Sequence, residues 1–122
     1  MADTTDVLAL LDKTREVEIE TTSASGARHR VVIWVLVIDG TPYVASYRGP
    51  SGRWWRELLR AKEGALVVGR RRIAVRPHRV SSAETKRAVS DAFGRKYRTS
   101  GSSLKAMQTP EVLDTALRLE LL

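Results

Sequence analysis

The sequence predicts an α+β fold, a small β-barrel of about six mainly antiparallel strands with two or three flanking helices, in one domain spanning residues 1–122. Three observations predict it. The run Val31-Val32-Ile33-Trp34-Val35-Leu36-Val37-Ile38 is apolar throughout and rich in β-branched residues, the pattern of a strand buried on both faces. Several other segments alternate with period two, and helical spacing intervenes only in short stretches. Closing such a set of strands into a barrel removes edges that would otherwise invite pairing with other chains.

Taken in order, residues 3–11 read as a short helix capped by Asp3 or Thr5, with Val7, Leu8, Leu10 and Leu11 on one side. From Glu16 the period changes to two, placing Val17, Ile19 and Thr21 on one face of a strand and Glu16, Glu18 and Glu20 on the other. A turn around Gly26 leads to the apolar strand His29 to Asp39, expected at the centre of the barrel. Asp39-Gly40 is a tight hairpin signal, and Tyr43 to Tyr47 returns as its partner. Gly49-Pro50-Ser51-Gly52 stops that strand, and Arg53 to Lys62 carries Trp54, Trp55, Leu58, Leu59 and Ala61 at helical spacing. Ala65 to Gly69 and Arg72 to Val80 read as two more strands, in which Pro77 implies an edge or a bulge. Ser81 to Glu84 has capping-box spacing, followed by a helix striped with Val89, Ala92, Phe93 and Tyr97 that ends near Arg98. Thr99 to Ser103 reads as a loop, and the alternation after Pro110 as a closing strand.

Composition narrows the chemistry. There is no cysteine, so disulfides and thiolate metal sites are excluded, and a reducing compartment, the cytoplasm, is expected. Met1 to Val7 lacks the start of a secretory signal and the longest apolar run is far too short for a span, so no membrane association is expected. His29 and His78 lie far apart and give no metal site. No Gly-x-Ser-x-Gly elbow and no Walker loop occurs, no catalytic residue stands out, and the sequence leaves open whether the chain is an enzyme. The net charge of +7 is concentrated: Arg48 to Arg79 holds ten basic residues against Glu57 and Glu63, a local +8. Arginine outnumbers lysine 16 to 5, which favours planar, bidentate contacts with phosphate or carboxylate.

The segment Ser46-Tyr47-Arg48-Gly49-Pro50-Ser51-Gly52-Arg53-Trp54-Trp55-Arg56 is the strongest candidate site. A Gly-rich turn lets backbone N–H groups approach an anion, the helix start adds partial positive charge, and Arg48 and Arg53 flank the spot. Arg53, Arg56 and Arg60 share one helix face, which by itself reads as a solvated face. A second basic stripe, Arg72, Arg76 and His78, is expected to pair across strands with Glu16, Glu18 and Glu20.

Glu20-Thr21-Thr22, the Gly26 turn, Arg28 to Arg30, the strand ending Asp39-Gly40, Tyr43-Val44-Ala45-Ser46, the glycine turn and Trp54-Trp55 before Leu58 together resemble the deazaflavin-dependent nitroreductases of the flavin-binding split-barrel superfamily. More closely, the chain resembles a short uncharacterised branch of it. The resemblance covers about Val17 to Gly69 and implies that the barrel is a split β-barrel. It further implies an oxidoreductase whose FMN or deazaflavin coenzyme carries the hydride, with coenzyme-binding positions at Ser25, Gly26, Arg28, Arg30, Ser46, Arg48, Gly49, Arg53 and Trp55; the cradle argument adds Ser51 and Gly52. Two alternatives stay open, a non-catalytic split-barrel module for an anionic small molecule and a nucleic-acid-binding barrel. Nucleic acid is not expected as the partner, because no base-reading motif accompanies the charge. Whether two copies form a homodimer is left open.

Overall fold

The computed structural model describes residues 4–122, so the Asp3 cap expected from sequence lies outside the described residues. Helix α1 (Thr4–Lys13) leads into β1 (Glu16–Thr22), which pairs with β2 (Arg28–Trp34) from Glu16↔Trp34 to Thr22↔Arg28. At Val35 that ladder stops. Strand β3 (Leu36–Ile38) pairs instead with β4 (Thr41–Val44) across a turn whose Asp39 and Gly40 have φ of 49° and 76°, the left-handed values that Asp and Gly tolerate best. A 3-10 turn at Gly49–Ser51, α2 (Arg53–Ala61), β5 (Gly64–Val68), β6 (Arg71–Arg79), α3 (Ala83–Lys96), α4 (Ser102–Met107), α5 (Pro110–Leu113) and β7 (Leu117–Leu121) complete the chain.

The strands form one antiparallel sheet in the order β2-β1-β5-β6-β7-β4-β3. Its two edges, β2 and β3, are consecutive in sequence and separated by Val35 alone. The sheet must therefore curl until its edges meet at Val35, and away from that point they diverge. This is a split barrel, of the α+β class expected.

The barrel interior holds Val17, Ile19, Ile33, Val35, Leu66, Val75, Leu117 and Leu119, plugged by Leu11 of α1 and by Trp54, Trp55 and Leu58 of α2. A second cluster forms where Val89, Phe93, Tyr97, Met107 and Val112 of α3 to α5 pack on Leu36 and Ala45. These two clusters explain the main correction to the sequence reading. The 29–39 run is not one central strand buried on both faces but two edge strands, and Val32 is 57% exposed. Its unbroken apolar character arises because Ile33 and Val35 serve the barrel, while Leu36, with Trp34 packed alongside, serves the helical cluster. Among the described residues the break also raises the strand count to seven, and five α-helices replace the expected two or three.

Smaller departures have local causes. The returning strand ends at Val44 rather than Tyr47, where the chain turns toward α2. The cap of α3 is Ser82, whose hydroxyl accepts from the Thr85 N–H, one residue beyond the Ser81 box. Thr109 caps α5 by accepting from the Val112 N–H, so Pro110 to Leu113 is helical and the closing strand starts only at Leu117. Helix α4 likewise begins at Ser102, inside the expected loop. Strand β6 is interior, yet its pairing with β5 ends at Val75, so Pro77 has a neighbour on one side only and no ladder bond to β5 is lost. Of the glutamate stripe, Glu20 alone meets the basic stripe, bonding Arg72 at 2.9 Å and Arg30 at 3.2 Å, whereas Arg76 and His78 pair with Glu120 of β7.

Candidate functional site

The β3–β4 ladder pairs Leu36 with Tyr43 and, continued in register, would set Trp34 opposite Ala45 and Val32 opposite Tyr47. It does not continue. Where those pairs would have formed, the barrel opens into a cleft of about 650 Å³. One wall is Val31 to Trp34 of β2, the other Ala45 to Arg48 with Ser51 to Trp54, and Ser103 and Met107 of α4 close one side. Val32 and Tyr47, the pair that never meets, are left 57% and 63% exposed at its mouth.

One end of the cleft is polar and cationic. Gly49 N–H donates to Ser46 O and Gly52 N–H to Gly49 O, which folds the loop so that Ser46 lies beside the start of α2. Helix α2 begins at Gly52 with no side-chain cap and no acidic residue in its first turn, leaving its first N–H groups without a side-chain partner. Gly52 has ordinary extended angles, so space and not conformation requires glycine there: a Cβ would clash with Ser46 Oγ. Ser46 is fully buried, its N–H donates to Thr115 Oγ1 at 2.8 Å, and its hydroxyl has no hydrogen-bond partner among the described residues. Arg48 and Arg53 line the same end, and among the described residues neither forms an ion pair. The Ser51 hydroxyl donates to Arg48 O and holds that segment in place. Glu111 of α5 packs against Gly49.

The residues singled out from sequence separate into two groups. Ser46, Arg48, Ser51, Gly52 and Arg53 line the cleft, with Gly49 buried in the turn between them. Trp55 does not: its indole N–H donates to Thr115 O at 2.8 Å inside the barrel, and Arg79 covers its ring at 5.2 Å. Trp54 is the tryptophan of the cleft. Arg30 is tied to Glu20, Arg28 starts β2 opposite Thr22, and Ser25 and Gly26 belong to the β1–β2 turn; none of these lines the cleft. Tyr47, part of the segment singled out from sequence, lines the cleft, whereas the walls Val31 to Trp34, Ser103 and Met107 were missed. The first are camouflaged as core by the apolar run, and the last two come from a segment about fifty residues away that carries no local signal.

Five titratable groups around the barrel are displaced from their ordinary values, the first being Glu120, whose carboxyl is held low chiefly by its hydrogen bond from His78. Arg72, hydrogen-bonded to the Glu20 carboxylate, holds it below the usual range with help from Arg30 and against burial. Burial works against ionisation of Glu57, but hydrogen bonds from Thr21 and His29 and the nearby charges of His29 and Arg53 more than offset it, so this carboxyl also sits low. On α3, burial pushes the Lys96 ammonium down to about 8 and the Tyr97 phenol up to about 12. The described residues contain no group of three or more side chains suited to a metal ion, and no helix among them is long and apolar enough to cross a membrane.

The family profile described as "Uncharacterized protein conserved in bacteria (DUF2255)" matches residues 7–119. The chain belongs to this family. No functionally curated protein matches it. As a member of the family it adopts a known architecture, similar to that of HutZ, a heme storage protein from Vibrio cholerae, at 12% identity and TM-score 0.70 over 100% of this chain and 92% of that one. It is also similar to a conserved hypothetical protein from Mycobacterium tuberculosis, at 14% identity and TM-score 0.69 over 98% and 79% of the two chains. A NimC/NimA family protein from Clostridium acetobutylicum matches at 13% identity and TM-score 0.67 over 97% and 80%. At such identities the likeness establishes the split-barrel fold.

Proposed function

We propose that this protein is a flavin- or deazaflavin-binding oxidoreductase-like protein that holds a phosphate-bearing coenzyme in the cleft of the split. One observation carries the reading: the orphaned Ser46 hydroxyl, the uncapped start of α2 and the unpaired Arg48 and Arg53 converge on one end of an otherwise apolar cleft. A buried hydroxyl without a partner is disfavoured by about 1–3 kcal/mol, and an anion at that end would satisfy it together with the helix N–H groups. Trp54, Trp34 and Met107 then offer apolar surface to a planar ring. A fold relative described as a heme storage protein is compatible with a bulky ligand in this fold.

Such a coenzyme supplies hydride transfer when bound. This chain's part is phosphate grip at Ser46, Gly52, Arg48 and Arg53, orientation by the β2 wall, and exclusion of water by Trp54 and Met107. The alternative, a non-catalytic module for an anionic small molecule, uses the same cradle and differs only in ligand.

A titration of FMN or a deazaflavin into wild-type protein and Arg53→Ala tests the reading. A lost charge-assisted hydrogen bond costs about 1.5–3 kcal/mol, so Arg53→Ala is expected to weaken binding roughly tenfold or more. Arg118→Ala, on β7 and outside the cleft, is the matched control and leaves affinity unchanged. Absence of binding by wild type at millimolar coenzyme removes the oxidoreductase reading in favour of the module, and equal effects of the two substitutions reduce the cradle to general electrostatics.

A further inference from the structure

Beyond the cleft, along the wall shared by β2 and α2, lies a second polar constellation. Thr21 of β1 and His29 of β2 are a directly opposed cross-strand pair, and both bond the same oxygen of Glu57 on α2: Thr21 Oγ1 donates to Glu57 Oε1 at 2.7 Å, and His29 Nδ1 lies 3.2 Å from it. The Glu57 side chain is 12% exposed and that of His29 is 29% exposed. With the carboxylate ionised, Nδ1 must carry the proton, so Nε2 is the nitrogen left free, and among the described residues it has no protein partner.

Position links this pair to the cleft. His29 precedes the wall residue Val31 by two on the same face of β2, about 6–7 Å along the strand at ~3.3 Å per residue. Glu57 follows the wall residue Arg53 by four, one turn along the same face of α2. The pair is thus the next rung of the wall that a cleft ligand lies against. Few other groups meet this description: the lining side chains of the cleft include no histidine and no carboxylate.

We propose that His29, oriented by Glu57 and Thr21, is the proton-exchanging residue of the cleft. This rests on the coenzyme reading above. Reduction of a polarised carbonyl by hydride transfer needs both a hydride and a proton: the carbon gains the hydride and its electron pair from the reduced coenzyme, which is oxidised, and the oxygen gains a proton. Imidazolium Nε2–H supplies that proton, directly or through one water, and the ring returns to the neutral Nδ1–H form held by Glu57. Solvent restores the proton through the exposed edge of the ring. His29 contacts the Glu57 carboxylate of α2, on which the nearby charge of Arg53 also acts, and from β1 it meets the uncharged Thr21.

The test combines nitrogen-15 NMR of the histidine rings with calorimetric titration of flavin mononucleotide in two buffers of different ionisation enthalpy. The two histidines give an internal contrast, because His78 contacts Glu120 through Nε2 at 2.8 Å and is expected in the opposite, Nε2–H tautomer. The inference predicts an Nδ1–H tautomer for His29, lost in Glu57→Gln or weakened in Thr21→Val, ring shifts at His29 but not His78 on adding the flavin, and a pH-dependent proton exchange on binding. In His29→Asn the affinity stays within about threefold of wild type, while the proton exchange disappears. Flavin binding that leaves the His29 ring and the proton count unchanged overturns the inference while the coenzyme reading stands. No flavin binding by wild type overturns the coenzyme reading, and the inference with it.

Discussion

At Val35 the chain leaves one edge of the sheet for the other, and the two flanks of that crossing are finished differently. On the α3 flank, Lys96 Nζ donates to Val35 O at 2.7 Å and to Leu11 O at 3.0 Å, while the Tyr97 hydroxyl donates to Arg15 O at 2.6 Å and accepts from the Val35 N–H at 3.3 Å. The Tyr97 ring stacks on Trp34 at 3.9 Å, almost parallel, so the break is closed by both polar and aromatic contact. On the α2 flank, Ser46 is equally buried, yet its hydroxyl has no partner among the described residues, and the residues that would have extended the ladder stand apart. A protein satisfies its buried polar groups wherever packing alone is at stake. On the proposed reading, the difference between the flanks separates a region that stabilises the fold from one that a ligand would complete.

The largest effect is expected on the sealed flank. Tyr97→Ala removes a fully buried aromatic ring and leaves Val35 N–H and Arg15 O without their partner, a loss of about 3–5 kcal/mol in a urea melt. Affinity for the coenzyme phosphate is expected to survive in whatever folded protein remains. A loss below about 1 kcal/mol contradicts the assignment of this flank to stability.

On the open flank the decisive contact is steric. Gly52→Ala forces a Cβ onto Ser46 Oγ and is expected to destabilise by about 1–3 kcal/mol, the usual range for overpacking. Ser46→Ala in the same chain relieves it, so a double-mutant cycle gives strong positive coupling. Ser46→Ala alone is near neutral in stability, since it deletes an unsatisfied group, but weakens anion binding. Additive effects in the cycle contradict the proximity on which the cradle depends.

A smaller, pH-dependent effect sharpens the comparison. Lys96 has a folded value of about 8 against 10.5 in the open chain, so between those values the unfolded state binds more protons and stability rises with pH. Tyr97, raised from 10.0 to about 12, acts in the opposite sense above pH 10, where only the unfolded chain gives up its phenolic proton. Urea midpoints are therefore expected to climb from pH 8 toward 10 and then fall, and Lys96→Met to flatten the climb. A wild-type curve with no climb contradicts the burial of this ammonium.

The same comparison explains what was legible in the sequence. Local periodicity and turn chemistry sufficed for β1, the Asp39-Gly40 hairpin and α2, because each is decided by neighbours a few residues away. The loop Ser46 to Arg53 was legible for the same reason: its glycines, its arginines and a following helix adjoin in the chain. The break at Val35 was not, because an apolar run has the same appearance whether one core or two receive it. Trp54 and Trp55 illustrate the limit within a single helix. They are adjacent and equally buried, and only Thr115, sixty residues on, determines that Trp55 turns inward to a carbonyl while Trp54 lines the cleft.

The most direct measurement of the central claim is a paired titration of flavin mononucleotide and riboflavin, followed by the amide resonances of Ser51 to Trp54. The two ligands share the ring and differ in the phosphate. If the end of the cleft formed by Ser46, Gly52, Arg48 and Arg53 is a phosphate cradle, the mononucleotide binds at least tenfold more tightly, a difference of about 1.4 kcal/mol or more, and shifts those amides while riboflavin does not. Equal affinities, or amide shifts confined to residues outside 46–54, contradict the account.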